Sequence, residues 1–463
     1  MTTLALNAGA ARRCGLGLVL GIVLGVAPAV GAADLEEAAR ALLAQLAAGD
    51  AAAASTRFDE RMRAALPPEK LAEVWTGVCE QLGPYQGIEG TRIEETRGMR
   101  IVHVTTRFEK TAVDTRVVFD ATGSVAGLFF APIEEPQSEW TPPAYALRDR
   151  FDEKPLVVDS DGFRLPGFLA LPRGDGPFPA VVFVHGSGPH DADETIGPNK
   201  PFRDLAGGLA SQGVAVLRYT KRTFVMSQQE RPALGGFTVE DETVRDALAA
   251  IALLRRTASV DSTRIFVLGH SLGGMLAPRI AARDGRLAGI VILAGNARPL
   301  EDLALEQVRY ITRLDGEVSA AEQQTIDALA ESVEQIGSPS LADTTIVSFL
   351  GASIPGSYWL DLRNYRPVET AAALAIPTLV LRGERDYQVG AEDFAAWQRG
   401  LANKRDAAFA TYPALNHLFM AGTGEPRPQE YTTAGHVAAE VVNDIATWIA
   451  DPQRARIGTP RRP

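Results

Sequence analysis

Between residues 34 and 48, Leu35, Ala39, Leu42, Leu43 and Leu46 recur every three or four positions and Gly49 follows, which predicts an amphipathic helix. A second helix is predicted over residues 67–82, where Pro67 stands at the start and Leu71, Val74, Trp75 and Val78 share a face. The period then drops to two. Val102, Val104, Thr106 and Phe108 alternate with Ile101, His103, Thr105 and Arg107, and Val113, Thr115, Val117 and Phe119 alternate with Asp114, Arg116, Val118 and Asp120. Ala121-Thr122-Gly123 turns the chain into a further strand over 125–130. Helices followed by antiparallel strands predict a small α+β domain over residues 34–131. Pro132, Pro136, Pro142 and Pro143 then stand among polar residues, which predicts a stiff linker over 132–147.

Beyond the prolines the rhythm changes. A hairpin is expected from residues 156–158 and 163–171, turned at Asp161-Gly162. Continuous apolar runs at 180–184, 214–217, 265–268 and 288–293 then alternate with helical patterns at 201–212, 239–256 and 272–283. In the 239–256 segment Val244, Leu248, Ile251 and Leu254 lie on one face, with Thr238 as the expected N-cap. Apolar strands separated by helices predict a mostly parallel sheet with helices on both faces. From 296 to 372 the alternation stops: helical stretches at 303–314, 320–336 and 341–350 follow one another with no strand between. This block is expected to cap the C-terminal edge of the sheet, where α/β folds bind ligands. Its Tyr310, Phe349, Tyr358, Trp359 and Tyr365 are candidates for lining an acyl or alcohol pocket. The sheet resumes at 378–381 and 407–412, with helices at 392–401 and 433–449, so the second domain is expected over 148–451. The tail, 452–463, is rich in Pro and Arg and is expected to be disordered.

Composition narrows the classes. A chain of 463 residues exceeds one compact core. Hydrophobic content of 46% and charged content of 22% are those of an ordinary globular protein. A net charge of −11 provides no basic face, so a nucleic-acid partner is not expected. Arg12 and Arg13 precede an apolar stretch over 16–26, Val30-Gly31-Ala32-Ala33 follows, and residues 1–33 contain no acid. This reads as an export signal peptide cleaved near Ala33, giving a periplasmic or secreted protein by the Sec or the twin-arginine route. The apolar run is shorter than the ~20 residues needed to span a bilayer, so no stable span is expected after cleavage. Cys14 leaves with the signal and only Cys79 remains, so no internal disulfide is expected. The histidines are dispersed, without Cys-x-x-Cys or His-x-x-x-His spacing, and no Gly-x-x-x-x-Gly-Lys occurs. No metal and no cofactor are expected, and a lone strand histidine, His103, is given no role.

The chemistry concentrates around Gly269-His270-Ser271-Leu272-Gly273, between an apolar strand and a helix. Gly-x-Ser-x-Gly at a strand-to-helix switch is a nucleophile elbow: the tight turn excludes neighbouring side chains and leaves Ser271 Oγ exposed. A serine hydroxyl needs a base, and the base needs a carboxylate to hold its tautomer. In a fold of this kind the order is Ser, acid, His. His417, in the loop after the last strand, is the expected base; His436 falls in the 433–449 helix pattern and is expected on its surface. Asp386, just beyond the 378–381 strand, is the expected acid, with Glu384 as the alternative and Asp393 assigned to the next helix. The oxyanion is expected to be held by the backbone N–H of Leu272 and, within one position, of Ser187 in His185-Gly186-Ser187-Gly188.

Together these residues resemble the α/β-hydrolase superfamily. The segments His185 to Phe202, Leu217 to Thr223 and Ala294-Gly295-Asn296-Ala297-Arg298-Pro299 are similar to secreted or thermophilic carboxylesterases of the EstD type. That resemblance covers about residues 156–450 and implies an α/β-hydrolase fold, with a helical cap over 296–372, that hydrolyses small carboxylic esters, best with short acyl chains. His190 and Thr220 depart from the pattern, where Asn and Asp are expected; neither is a triad position, so they bear on substrate preference. The first domain resembles, in element order, the nuclear-transport-factor-like class. Two other readings stand beside the esterase: a serine aminopeptidase or other peptidase, with Glu301 or Asp302 holding a substrate ammonium, and a non-enzymatic binding protein on a hydrolase scaffold. Oligomeric state is not legible.

Overall fold

The computed structural model describes residues 31–96, 99–133, 140–228, 236–453 and 457. The signal-peptide reading of 1–33 and the disordered-tail reading of 452–463 lie almost wholly outside the described residues. The chain divides into two compact units, one ending at Pro136 and one beginning at Gln137.

In the first unit, helices Ala32–Ala47, Ala51–Ala54, Glu60–Ala65 and Pro68–Leu82 precede four antiparallel strands: β1 (Tyr85–Thr96), β2 (Met99–Phe108), β3 (Ala112–Phe119) and β4 (Val125–Pro132). Leu35, Ala39 and Leu42 from the first helix share one core with Val102, Val104, Val117 and Phe119, the inward positions of the period-two pattern. The sequence pattern does not predict β1. Its register against β2 shifts between Tyr85 and Gly87 and again between Ile88 and Gly90, so the alternation is broken twice within one strand.

The second unit begins earlier than the proline pattern suggests. Trp140 Nε1 donates to Asp204 Oδ1 at 2.9 Å, the Tyr145 hydroxyl to the Val437 carbonyl at 2.6 Å, and Leu147 N–H to Ser211 Oγ at 2.8 Å. Residues 140–147 therefore dock on the second unit and are not linker. Gly207 and Gly208 make room for them: an added Cβ would lie 2.8 Å from Ala146 Cβ and 2.8 Å from Tyr145 Cδ2 respectively.

Eight strands form its sheet: β5 (Phe151–Ser160), β6 (Phe163–Pro172), β7 (Phe178–Val184), β8 (Ala215–Tyr219), β9 (Val260–His270), β10 (Gly289–Leu293), β13 (Thr378–Gly383) and β14 (Ala407–Tyr412), in the order β14-β13-β10-β9-β7-β8-β6-β5. The β5–β6 hairpin turns through Asp161 and Gly162, both at positive φ (47° and 80°), as a two-residue turn with right-handed strand twist requires. From β7 onward the sheet strands run parallel. Alternate residues of one strand face opposite layers. Val181 and Phe183 share a core with Phe202, Leu205, Val441 and Trp448, whereas Ala180, Val182 and Val184 share another with Ala247, Ile251, Leu254 and Leu276. Both faces are thus covered, which is why the strand sequences are apolar without interruption. The chain passes from β7 to β8 on one side and then to β9 on the other. This reversal opens a crevice at the carboxyl ends of β7 and β9.

Two expectations are corrected. Residues 341–350 are not a helix. A two-stranded hairpin, β11 (Ile346–Phe349) and β12 (Ala352–Pro355), stands there, turned at Leu350 and Gly351 with φ of 49° and 80°. Ile346 and Val347 are β-branched, and burial alternates from exposed Ile346 to buried Val347 and buried Phe349. A four-residue strand ending at a glycine turn is too short to outweigh the helical patterns around it. The helices of this block are Leu300–Ile311, Ala320–Gly337, Gly356–Arg363 and Pro367–Ala373. The last helix begins at Ala439, so His436 lies ahead of it; its Nδ1 is 3.1 Å from Asp204 Oδ2, a structural contact rather than a helix-surface position. The predicted cap at Thr238 is present. Its Oγ accepts Asp241 N–H, and Asp241 Oδ2 accepts Thr238 N–H at 3.1 Å, a reciprocal capping box.

Candidate active site

β9 ends at His270, and Ser271 is the corner before helix Leu272–Asp284. Ser271 has φ 53° and ψ −119°, a conformation L-residues avoid, at a cost of about 1–3 kcal/mol. The flanking glycines are obligatory: a Cβ on Gly269 would lie 2.0 Å from the Gly273 carbonyl oxygen, and one on Gly273 2.2 Å from that of Val184. Ser271 N–H is held by the Leu293 carbonyl at 2.9 Å.

Asp386 and His417 leave the ends of adjacent strands, β13 and β14. Gly383 allows their loops to meet, since a Cβ there would lie 2.4 Å from the Leu415 carbonyl oxygen. Asp386 Oδ1 accepts the amides of Gln388 (2.8 Å) and Val389 (3.0 Å), which aims Oδ2 at His417 Nδ1, 2.7 Å away. Both side chains are buried. With the carboxylate accepting, Nδ1 carries the proton and Nε2 presents its lone pair. Asn416 shapes the histidine loop, its Oδ1 accepting the amides of Leu418 and Met420 at 3.0 and 3.2 Å. His270, next to the serine, packs against His417 with ring centroids 4.7 Å apart. Glu384, the alternative acid, is exposed and accepts the Thr411 hydroxyl at 2.7 Å. Asp393 lies in helix Ala391–Gly400, bound to the Ala297 and Arg298 amides and to the Arg298 guanidinium.

On the loop after β7, Gly186 N–H is already given to Glu194 Oε1 at 2.7 Å. Lys221 Nζ donates to the Gly186 carbonyl at 2.7 Å. In a planar trans peptide that carbonyl and the following N–H point in opposite directions, so Lys221 fixes the direction of Ser187 N–H. Leu272 is the first residue of its helix, and its amide has no carbonyl four residues back within the helix. Ser187 and Ser271 line one cavity of about 510 Å³, roofed by Leu300, Phe349, Ile354, Tyr358 and Trp359. Three of the five cap aromatics are thus on its wall. Tyr310 instead donates to the Pro426 carbonyl and stacks on Tyr387, and Tyr365 donates to the Met275 carbonyl beneath the elbow helix.

Residues 181–445 match the family described as "Alpha/beta hydrolase family". This chain belongs to it. Residues 39–128 match a family described as "Protein of unknown function (DUF3887)". Esterase EstD of Thermotoga maritima is 38% identical over 389 residues, which cover 84% of this chain and 89% of that protein. Human monoglyceride lipase is 29% identical over 146 residues, 31% of this chain and 43% of that protein. Among solved structures, Est1E from Butyrivibrio proteoclasticus is 20% identical, covering 57% of this chain and 90% of its own, with a TM-score of 0.40.

The hydrolase domain also holds polar residues that no motif marks. Glu194, Lys221 and Asn416 are buried beside the site. Lys221 pairs with Glu242 Oε1 at 3.0 Å, and Tyr358 donates to Glu242 Oε2 at 2.7 Å, so one chain of contacts joins the cap to the loop after β7. Burial raises the Tyr358 hydroxyl well above its ordinary pKa, which keeps it a donor. His185, which donates to the Asp191 carbonyl through Nε2, is pushed down to about 3 by burial and stays neutral. The departing residue His190 contacts the Ser187 carbonyl at 2.7 Å through Nε2, and Thr220 N–H bonds the Pro166 carbonyl. The sequence offers a weak signal for Glu194 alone, in the acid-rich Asp191-Ala192-Asp193-Glu194 that follows the glycine loop. Glu301 and Asp302 are not on the wall of the cavity that holds Ser271; the acid there is Glu242, which Lys221 and Tyr358 already occupy. Among the described residues, no three His, Cys, Asp or Glu side chains are grouped to hold a metal, and no helix is long and apolar enough to cross a membrane.

Proposed function

We propose that this hydrolase is a serine carboxylesterase acting on small esters, with Ser271 as nucleophile, His417 as base and Asp386 as the residue that holds and stabilises the imidazolium. Ser271 Oγ adds to the ester carbonyl carbon while His417 Nε2 takes its proton, and the amides of Ser187 and Leu272 bind the oxyanion. The tetrahedral adduct expels the alcohol, which takes the proton from His417, leaving an acyl-enzyme. Water then gives a proton to His417 and attacks the acyl carbon, and Ser271 departs with that proton as the carboxylic acid is released.

The observation that carries the reading is the buried Asp386–His417 pair at 2.7 Å, packed through His270 against the strained Ser271. The likeness to a protein named an esterase supports the ester as substrate. So does the wall of the cavity, which is mostly apolar and whose one acid among the described residues, Glu242, is already paired with Lys221 and Tyr358. An aminopeptidase would need a carboxylate with capacity for an ammonium, and Glu301 and Asp302 are not on the cavity wall. A binding protein on this scaffold would have no reason to keep the strained serine corner. The test is an acyl-chain series of nitrophenyl esters beside aminoacyl anilides. Highest kcat/KM on short-chain esters, with anilides slower by orders of magnitude, is expected; faster anilides would make the protein a peptidase.

The named catalytic groups all lie between Ser187 and His417. A chain beginning at Gln137, which keeps the Trp140–Asp204 contact, is therefore expected to retain kcat/KM on a short-chain ester within about threefold. A folded but inactive truncated protein would assign part of the site to the first domain. Export through the signal over residues 1–33 is part of the same proposal, checked by whether the mature N-terminus falls near Asp34.

A further inference from the structure

The proposed reaction leaves unused a second acid–imidazole pair one residue from its nucleophile. Glu194 and His270 are 1% and 4% exposed. Glu194 Oε2 lies 3.0 Å from His270 Nδ1, while Oε1 accepts Gly186 N–H at 2.7 Å. His270 Nε2 lies 3.0 Å from the His417 carbonyl oxygen, which can only accept, so Nε2 is protonated and donates. Burial opposes both charges, yet each is overcome by the other. The Glu194 carboxyl is held at about 2 beside His270, and the His270 imidazole is raised by the Glu194 carboxylate. Both ring nitrogens of His270 thus face acceptors, the arrangement of an imidazolium beside a carboxylate.

Stability does not explain keeping it. A buried ion pair replaced by well-packed apolar groups is often no less stable. Glu194 also sits at φ 52°, a second non-glycine residue in the left-handed region within this site. Its loop is held in that shape by Asp191, whose carboxylate accepts the amides of Asp193 and Thr195 and the Thr195 hydroxyl. The three loops that meet here are nearly in contact. A Cβ on Gly186 would lie 3.2 Å from Ser271 Cβ and 3.4 Å from Glu194 Oε1.

We infer that Glu194 and His270 are positioning residues for the reaction, tying together the loop after β7, the serine corner after β9 and the His417 loop after β14. The inference rests on the esterase reading above. Through Gly186 N–H the pair anchors the peptide that precedes Gly186, while Lys221 holds the carbonyl of the next peptide, the one that carries Ser187 N–H. Through the His417 carbonyl it holds the backbone from which that imidazole is presented. Neither residue touches the reacting atoms, so the effect falls on kcat: a displacement of about 1 Å at a reacting group costs on the order of 10²-fold.

The experiment compares steady-state kinetics of the full-length protein with Glu194→Gln, the double variant Glu194→Gln/His270→Phe, and Ser271→Ala, with melting curves for each. The double variant fills the ring volume, leaves no buried charge unpaired, keeps an acceptor for Gly186 and removes the donor to His417. It is expected to lose about 10²-fold in kcat with KM within about threefold. Glu194→Gln alone keeps the His270 donor and is expected within about tenfold of wild type. Near-wild-type kcat in the folded double variant overturns the inference, as does a loss confined to KM. A Glu194→Gln variant as slow as the double variant overturns it too, because the charge and not the positioning would then matter. Should the double variant not fold, imidazole ¹⁵N shifts of the wild type decide: a doubly protonated His270 at neutral pH is expected, and a neutral ring overturns the pair. An inactive wild type, or a fully active Ser271→Ala, would instead sink the esterase reading and this inference with it.

Discussion

Ser271→Ala is expected to lower kcat for ester hydrolysis by about 10⁴-fold or more, with an unchanged fold. The variant removes one oxygen and keeps Cβ, so the backbone at φ 53° and ψ −119° is no more strained than before. The elements that impose this corner remain: Gly269 and Gly273 on either side, and the Ser271 N–H bond to Leu293. What goes is the only atom proposed to bond to the acyl group. The oxyanion amides and the cavity survive, and they alone supply a residual rate far below that of the acyl-enzyme route. Melting temperature, kcat on a short-chain nitrophenyl ester and labelling by a fluorophosphonate measure it together. Labelling should disappear with activity while the melting temperature holds. Wild-type turnover in the purified variant would falsify the assignment of the nucleophile.

Most of what makes that prediction possible is legible in the residues, for a physical reason. A buried parallel strand must be apolar on both faces, so 180–184, 265–268 and 378–381 announce themselves as β7, β9 and β13, and the motif positions then follow as strand ends. The Gly-x-Ser-x-Gly corner is legible because a backbone clash forces the glycines, whatever the rest of the fold does. Asp386 and Glu384 differ by two residues at a strand end, and spacing alone separates them only weakly. Their separation comes from a turn in which Asp386 takes the Gln388 and Val389 amides, and Glu384 points to Thr411. The misreadings have a common origin in tertiary contact. β11 and β12 are four residues each and rely on the cap around them, while β1 loses its alternation at two bulges. The proline-rich 140–147 reads as linker until Trp140 and Tyr145 meet the second unit. Lys221 carries no signal in the sequence and Glu194 only a weak one, because their partners lie on other elements: His270 is 76 positions away from one, and Glu242, in the helical turn Glu240–Val244, pairs with the other.

Asp386→Asn is expected to cost about 10⁴-fold in kcat, where Glu384→Gln leaves it within about threefold. The asparagine side chain fits the same space, and its oxygen can still accept the Gln388 and Val389 amides that now bind Oδ1. Its NH₂ then faces His417 Nδ1 in place of the carboxylate oxygen at 2.7 Å. An amide donates there, so Nδ1 must accept and the proton moves to Nε2. The nitrogen turned toward the serine then has no lone pair to take the proton, and no carboxylate remains to stabilise an imidazolium. The fold has little reason to respond, since the substitution removes a buried charge without opening a void. Glu384 is exposed, and glutamine retains the oxygen that accepts the Thr411 hydroxyl, so neither activity nor stability should move far. Kinetics on one short-chain ester, with melting curves for both variants, give the comparison. A large loss from Glu384→Gln beside a small one from Asp386→Asn would move the acid to Glu384, and with it the orientation of His417 from which the base role is argued.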